Sequence, residues 1–357
     1  MIKILSNKWR PQTLSEIVGQ NEAIYIIKNI IKNTRLHHSF IIHGNYGTGK
    51  TSLARIITKC FNCETGVTDN PCNKCYCCTS INNNTNYDSI EIDAASKTKI
   101  DDLKTIINLS EYKNIKNKFK TYIIDECHML SMNSFNFLLK ILEEEVKNNI
   151  YILVTTHINK IPKTIISRCI NLELKNISKN NIKKRIIHIL NTENYSINNI
   201  LINQLIIYSD NNLRTTINTL EKLGSIKNIT NSHIYSILGL SSYTRLLNII
   251  KNIYENNLNQ VLKETYYLLN KNCNINNIIK QLQLLLYKVI LHKSNIHYDK
   301  QFINNNIFLY LSKNLTLNII NNMYNLIQKE IQYIKYSLND EIGFEMLIIK
   351  LFILLNN

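Results

Sequence analysis

Gly44-Asn45-Tyr46-Gly47-Thr48-Gly49-Lys50-Thr51 decides the reading of this chain. It directly follows the apolar run Phe40-Ile41-Ile42 and opens a helical pattern over Thr51 to Phe61. A strand therefore feeds a glycine-rich turn that feeds a helix, the context a phosphate-binding loop requires. The glycines let backbone N–H groups turn inward on an anion, and the helix N-terminus adds a favourable dipole. Gly44 through Thr51, with Ser52 beside them, are thus expected to cradle the phosphates of ATP. Lys50 is expected to reach the β- and γ-phosphates, and Thr51 to ligate Mg²⁺. A chance glycine-rich turn would need neither the strand nor the helix.

A second motif supports the first. Tyr122-Ile123-Ile124-Asp125-Glu126 is an apolar strand ending in two acids. Asp125 is placed to hold Mg²⁺, directly or through water, and Glu126 to polarise an attacking water. Taken alone, such a pair is often just a solvated strand end. Together with the glycine-rich loop it reads as a catalytic pair.

Around these motifs the first half alternates strands and helices. Strand signals fall at Ser39 to His43, Ser89 to Asp93, Thr121 to Asp125, Tyr151 to Thr155 and Asn171 to Leu174, with helical patterns such as Ser134 to Glu144 between them. That alternation predicts an α/β fold, a mostly parallel sheet with helices on both faces. Ligands on such sheets sit at the carboxyl ends of the strands. After about residue 178 the strand signals fade into short helices, and from Ser241 the pattern is helical throughout. Ile275, Ile278, Ile279, Leu282, Leu285, Leu286 and Val289 form one apolar stripe at helical spacing, and Met323, Leu326, Ile327 and Ile331 another. Both read as helix-bundle core.

Composition narrows the class. The chain has 357 residues, 45% hydrophobic and 19% charged, so a packed core forms and wholesale disorder is excluded. The formal charge of +16 favours polyanionic partners, although an AT-rich genome enriches lysine whatever the function. Met1 to Trp9 holds no apolar run of a secretory signal. Phe344 to Leu355 is too short to span a bilayer and reads as a buried helix. A cytoplasmic protein away from membranes is expected.

Six of the nine cysteines fall between Cys60 and Cys78. Cys63, Cys72, Cys75 and Cys78 follow C-x8-C-x2-C-x2-C, and in a reducing compartment that pattern points to a metal rather than disulfides. Four thiolates make a closed tetrahedral site suited to structural Zn²⁺, with no open position for chemistry. Cys60 falls on the preceding helix and reads as core. Cys77 is a competing ligand, and an iron–sulfur cluster is the rival occupant.

These residues carry a family resemblance. Lys8-Trp9-Arg10-Pro11-Gln12-Thr13 and Val18-Gly19-Gln20 resemble the N-terminal segment of bacterial clamp-loader motor subunits, the gamma/tau subunits of DNA polymerase III. So do the cysteine knuckle after the phosphate-loop helix, Glu91 to Lys99, Ile124 to Leu130, and Ser167-Arg168-Cys169. The match is dense from about residue 7 to 175, thins over 176 to 240, and beyond that only length and helical character agree.

The resemblance implies an AAA+ P-loop ATPase domain over residues 1–177 with an inserted zinc module at 60–80. It further implies an all-α lid over 178–240 and an all-α collar over 241–357. It implies an ATPase with no polymerase activity of its own, built with other copies and with delta and delta-prime subunits into a five-membered ring. ATP binding lets such a ring open a sliding clamp and grip primer–template DNA. Arg168 matches the family's arginine finger, which acts in trans on a neighbour's ATP. Thr156 matches a polar sensor position, and Arg214 a second-sensor arginine. Around Arg214 the family's Gly-Ser and Asp-Ala are replaced by Asn211-Asn212 and Thr215-Thr216, which puts the lid's packing in question. Lys97, Thr98 and Lys99 suit DNA phosphates and equally a solvated turn. After Glu143-Glu144 the family's proline is replaced by Glu145-Val146. The chain stops at Asn357, so the expected likeness is to the short gamma form. A delta-prime-like structural subunit is the alternative, against which the intact Lys50-Thr51 and Asp125-Glu126 argue. A branch-migration helicase is the third option, against which the cysteine knuckle argues.

Overall fold

Short β-branched runs that are apolar on both faces can be satisfied only between two layers of helices, and that is where they lie. The computed structural model describes residues 5–33, 37–96, 117–144, 148–193, 195, 197–209, 211–223, 242–270, 274–296, 306–334 and 339–356. Its strands are β1 (Ser39–Gly44), β2 (Ser89–Asp93), β3 (Lys120–Asp125), β4 (Asn149–Thr155) and β5 (Ile170–Leu174). They form one sheet in the order β2-β3-β4-β1-β5, and every neighbouring pair is parallel. All residues of the central strand β4 are buried. The strands match their sequence expectations to within two residues.

Side chains alternate across the sheet with period two, and each face builds its own core. Phe40, Ile42, Ile123, Ile152 and Val154 face helices α2 (Asn21–Lys32) and α3 (Lys50–Asn62). Ile41, Tyr122, Ile124 and Leu153 face the other way, toward Phe135, Leu138 and Ile141 of helix α5 (Met132–Glu143). Tyr122 and Tyr151 stack on that side with ring centroids 5.3 Å apart. Each fully buried Ile or Leu here contributes roughly 1.5–3 kcal/mol.

Register decides where chemistry gathers. His43 lies opposite Thr155, Gly44 opposite Leu174, and Asp93 opposite Asp125. The phosphate-loop glycines, the acidic pair and the Thr155-Thr156 end of β4 therefore share the carboxyl edge of the sheet. Helix α4 (Tyr76–Asn82) and the short α6 (Lys163–Ile166) fill the connections. Among the described residues, three helices follow the sheet in this part of the chain: α7 (Lys179–Thr192), capped by Ser178, then α8 (Asn199–Tyr208) and α9 (Leu213–Leu223). The N-terminal turn α1 (Leu5–Lys8) is tied to α9, where the Leu5 N–H donates to Glu221 Oε1 at 3.0 Å.

The chain divides into two compact units, residues 1–224 and 225–357. The described residues of the second unit form helices α10 (Tyr243–Tyr254), α11 (Leu258–Asn270), α12 (Ile275–Lys293), α13 (Asn306–Asn314), α14 (Leu317–Ile334) and α15 (Asp340–Asn356). The predicted stripe on α12 is buried from Ile278 to Val289. On α14 the buried stripe is Ile320, Met323, Ile327 and Ile334, so Leu326 and Ile331 are its half-buried flanks. Helix α15 buries Phe344, Leu347, Ile348 and Leu351 and leaves Ile342, Met346 and Ile353 exposed. No helix among the described residues is long and apolar enough to cross a membrane.

Candidate functional site

The phosphate loop is held open by its glycines. Gly44, Gly47 and Gly49 have φ of +148°, +77° and +99°. A Cβ on Gly44 would fall 2.3 Å from the Leu174 carbonyl oxygen, so the glycine lets β5 pass. Lys50 begins α3, is nearly buried, and donates through Nζ to the carbonyls of Gly44 and Asn45, both at 3.0 Å. Burial lowers its pKa, opposed by Glu126 and Asp125. An ammonium satisfied only by its own loop's carbonyls is free to turn to a phosphate. Thr51 Oγ1 donates to Asp125 Oδ2 at 2.7 Å. That hydroxyl–carboxylate pair is a hard-oxygen donor set that fits Mg²⁺.

Glu126 sits in the left-handed region with φ +49°, a strained position for a residue that is not glycine. Its Oε2 accepts from Thr156 Oγ1 at 3.1 Å and lies 3.4 Å from His128 Nδ1. Thr156 directly follows the last residue of β4, and its hydroxyl touches the Glu126 carboxylate. His128 Nδ1 also lies 3.1 Å from Thr155 Oγ1. Burial lowers the His128 pKa, against the raising influence of Glu126.

A cavity of about 320 Å³ opens over this edge. Lys50, Thr51, Asp125 and Glu126 line it, and so do Trp9, Arg10, Arg55, Glu91, Arg185 and Arg214. Five cationic and three acidic side chains meet there, an excess that suits a polyphosphate. Arg10 shows it most clearly. Its pKa is lowered by burial and then by Arg55, and Arg214 lowers it further. Glu91 and Asp125 oppose that shift, and Glu91 already pairs with Arg55 at 2.8 Å.

Sequence reasoning placed Arg214 here and missed the other arginines. Arg10 lay inside a quoted motif without a role, and Arg185 inside a run of lysines. It also undervalued Asn212. The Asn212 Nδ2 donates to the Tyr46 carbonyl at 2.7 Å, and its Oδ1 accepts from the N–H groups of Arg214 and Thr215 at the start of α9. Arg214 lies over the Tyr46 ring at 5.4 Å. The departure from the family pattern at Asn212 is a contact between the start of α9 and the glycine-rich loop.

The four predicted cysteines come together. The Sγ atoms of Cys63, Cys72, Cys75 and Cys78 all lie within 4.8 Å of one another. Tetrahedral zinc with Zn–S near 2.3 Å needs sulfurs about 3.8 Å apart, so the donor set fits. Backbone N–H groups of Cys72, Cys75 and Cys78 point at Sγ of Cys63, Cys72 and Cys75 at 3.5, 3.3 and 3.4 Å. At Cys63, desolvation raises the pKa, but hydrogen bonds from Cys72 and Thr65 outweigh it and bring the thiol to about 6. The spare thiols resolve differently. Cys60 is core. Cys77 is turned inward and donates to Asn117 Oδ1 at 3.0 Å, away from the cluster.

Two family models match the chain: "DNA polymerase III, delta subunit" over residues 19–178 and "DNA polymerase III subunits gamma and tau domain III" over residues 229–356. DNA polymerase III subunit gamma of Buchnera aphidicola subsp. Schizaphis graminum is 34% identical over 362 residues, covering 98% of this chain and 97% of that one.

The chain belongs to the DNA polymerase III gamma/tau subunit family.

The gamma subunit from Buchnera aphidicola subsp. Baizongia pistaciae is 37% identical over 81% of this chain and 79% of its own length. DNA polymerase III subunit tau of Escherichia coli is 44% identical over 191 residues, 54% of this chain and 30% of tau. Among solved structures, the RuvB branch-migration motor of Thermotoga maritima is 20% identical at TM-score 0.47, over 69% of this chain and 80% of that one.

Of the remaining residues carried over from gamma/tau, Arg168 is absent from the cavity lining. It sits half-exposed between α6 and β5, pairs with Glu143 at 2.6 Å and donates to the Thr164 carbonyl. Lys97, Thr98, Lys99, Glu145 and Val146 lie outside the described residues.

Proposed function

We propose that the chain is an ATP-hydrolysing motor subunit of a DNA polymerase III clamp loader. The observation that carries this reading is the juxtaposition of Lys50, the Thr51–Asp125 pair and the Glu126–Thr156 pair at one edge of the sheet, under a cavity rich in arginine. A non-hydrolysing delta-prime-like subunit has no use for a hydroxyl–carboxylate pair beside a second carboxylate held at the same edge.

In this reading Gly44 to Ser52 wrap the triphosphate with backbone N–H groups, and Lys50 leaves its two loop carbonyls for the β- and γ-phosphates. Thr51 and Asp125 hold Mg²⁺, which neutralises phosphate charge when bound. Glu126 polarises the attacking water, and Thr156 fixes its carboxylate. Arg214 and Arg10 draw lid and N-terminal wall onto the phosphates. Arg168 leaves Glu143 and serves a neighbouring subunit's site, offsetting charge that develops on the γ-phosphate. The four cysteines hold structural Zn²⁺. Residues 1–177, 178–240 and 241–357 act as motor, lid and collar. Partners are delta, delta-prime and further copies in a five-membered ring, with a sliding clamp and primer–template DNA as what the ring acts on. Lys97, Thr98 and Lys99 contact the DNA backbone, and the site of action is the cytoplasm.

Subunit mixing tests the shared site. Rings of Lys50→Ala alone and of Arg168→Ala alone are expected to lose DNA-stimulated ATPase activity. Mixed rings are expected to regain part of it, because some intact loops then face intact Arg168 neighbours. Rings of Arg168→Ala as active as wild type would remove that residue from catalysis.

A further inference from the structure

Lys59 lies on α3, about two and a half turns beyond Lys50, and is 1% exposed. Its ammonium donates three hydrogen bonds: to the Gln12 carbonyl at 2.8 Å, to Gln12 Oε1 at 2.9 Å and to Asn73 Oδ1 at 2.8 Å. Three donors meet three acceptors, which is how a buried ammonium is tolerated. The acceptors come from two segments far apart in sequence, and each reaches a different site.

Asn73 is in the cysteine knuckle. It directly follows Cys72, has φ +56°, and forms the turn whose next N–H groups point at sulfur. Gln12 is in the N-terminal wall of the cavity. Its Nε2 donates to the Arg10 carbonyl at 3.1 Å, and its own N–H donates to Glu16 Oε2 at 2.9 Å. Trp9, Arg10 and Pro11, just before it, line the cavity with Lys50. A continuous chain of hydrogen bonds thus runs from the knuckle through Asn73, Lys59 and Gln12 to Arg10. A buried ammonium serves poorly as mere filler, since a methionine of similar length fills the same space without desolvating a charge.

We propose that Lys59 is a positioning residue that ties the cysteine knuckle to the Arg10 wall of the nucleotide cavity, so that zinc in the knuckle sets the affinity of that cavity for nucleotide. This rests on the nucleotide-site reading above. Zinc fixes the Cys72–Cys75 turn and with it Asn73. Asn73 holds one of the three Lys59 donors, and the other two hold Gln12 and hence Arg10. Without the metal the turn loosens, Lys59 loses a partner, and Arg10 is no longer presented to the phosphates. The single tryptophan, Trp9, reports on the same wall, where its Nε1 donates to Glu193 Oε1 at 2.7 Å.

The test uses the full chain at pH 7, a fluorescent ADP analogue as the probe, zinc content per chain, and acrylamide quenching of Trp9. Stripping zinc from the wild type with a chelator is expected to weaken ADP-analogue binding about tenfold and to increase Trp9 quenching. Lys59→Met is expected to keep its zinc, bind the analogue as weakly as stripped wild type, and change no further when stripped. Asn73→Gly keeps the left-handed turn, removes the acceptor, and is expected to move in the same direction. It carries the test, with Gln12→Ala, should Lys59→Met fail to fold by circular dichroism. Zinc-loaded variants that bind like wild type would overturn the inference. So would stripping that weakens wild type and Lys59→Met by the same factor. Wild type that holds zinc yet binds no nucleotide would overturn the nucleotide reading, and this inference with it.

Discussion

Replacing Gly47 with alanine probes the contact between the start of α9 and the glycine-rich loop. Gly47 has φ +77°, and a Cβ there would lie 2.1 Å from Asn212 Oδ1. The left-handed backbone alone disfavours alanine by about 1 kcal/mol. Asn212 must also move, and its bond to the Tyr46 carbonyl is worth about 1 kcal/mol more. The sum of about 2 kcal/mol corresponds to roughly thirtyfold weaker nucleotide binding if the strain is borne by the bound loop. Gly49 provides the control. Its φ is +99°, but nothing lies within 4 Å of its added Cβ, so Gly49→Ala carries only the backbone strain. Roughly fivefold weakening is expected there. Equilibrium titration with a fluorescent ADP analogue measures both. Adding Asn212→Ala to Gly47→Ala should weaken binding no further, because that bond is already lost, leaving a coupling of about 1 kcal/mol in the double-mutant cycle. Equal effects of Gly47→Ala and Gly49→Ala, or strict additivity with Asn212→Ala, would refute the reasoning.

Other substitutions follow from the same geometry. Burial holds Lys59 at about 8 rather than 10.5, against Cys78, Cys60 and Glu16, which raise it. The unfolded chain therefore binds more protons between those values, so this residue makes unfolding free energy rise with pH from 8 to 10.5, by about 1–3 kcal/mol. The gap between wild type and Lys59→Met in denaturant titrations at pH 7.5 and 10 should change by that amount, and a constant gap would contradict it. Cys77→Ser should retain one zinc per chain because Asn117, not the metal, holds that thiol, whereas Cys63→Ser should lose it. Metal analysis decides between them. Thr156→Val removes the hydroxyl that fixes Glu126 and should lower the ATPase rate about tenfold or more while leaving ATP binding within twofold. Weakened binding at an unchanged rate would reassign Thr156 to the phosphates.

What the sequence disclosed was local. Glycine spacing, a strand ending in two acids and cysteines two residues apart are patterns within a few positions, and each physical cause lies inside the pattern. The strands were legible for the same reason, because sheet burial on both faces demands continuous apolar runs. What escaped depends on chain segments meeting in space. Asn212 and Tyr46 are 166 residues apart, and Lys59 reaches Gln12 across 47. Nothing near Asn212 says that a loop is within reach, so a departure from the family pattern read as a packing doubt. Cys77 was ambiguous because spacing fixes which thiols can approach a metal but not which way a helix turns them. Arg10 and Arg185 carried no reading of their own in the sequence, because only the folded chain brings the N-terminal segment and α7 to one cavity.

Phosphate release from ATP by the full chain, assembled with its ring partners and primer–template DNA, is the measurement to make first. Wild type and Glu126→Gln are compared, with ATP binding followed in parallel. Expected is DNA-stimulated turnover by wild type and a loss of about a hundredfold or more in Glu126→Gln, with binding retained. A wild-type ring that binds ATP and DNA yet releases phosphate no faster than Glu126→Gln would contradict the motor assignment and leave a structural subunit in its place.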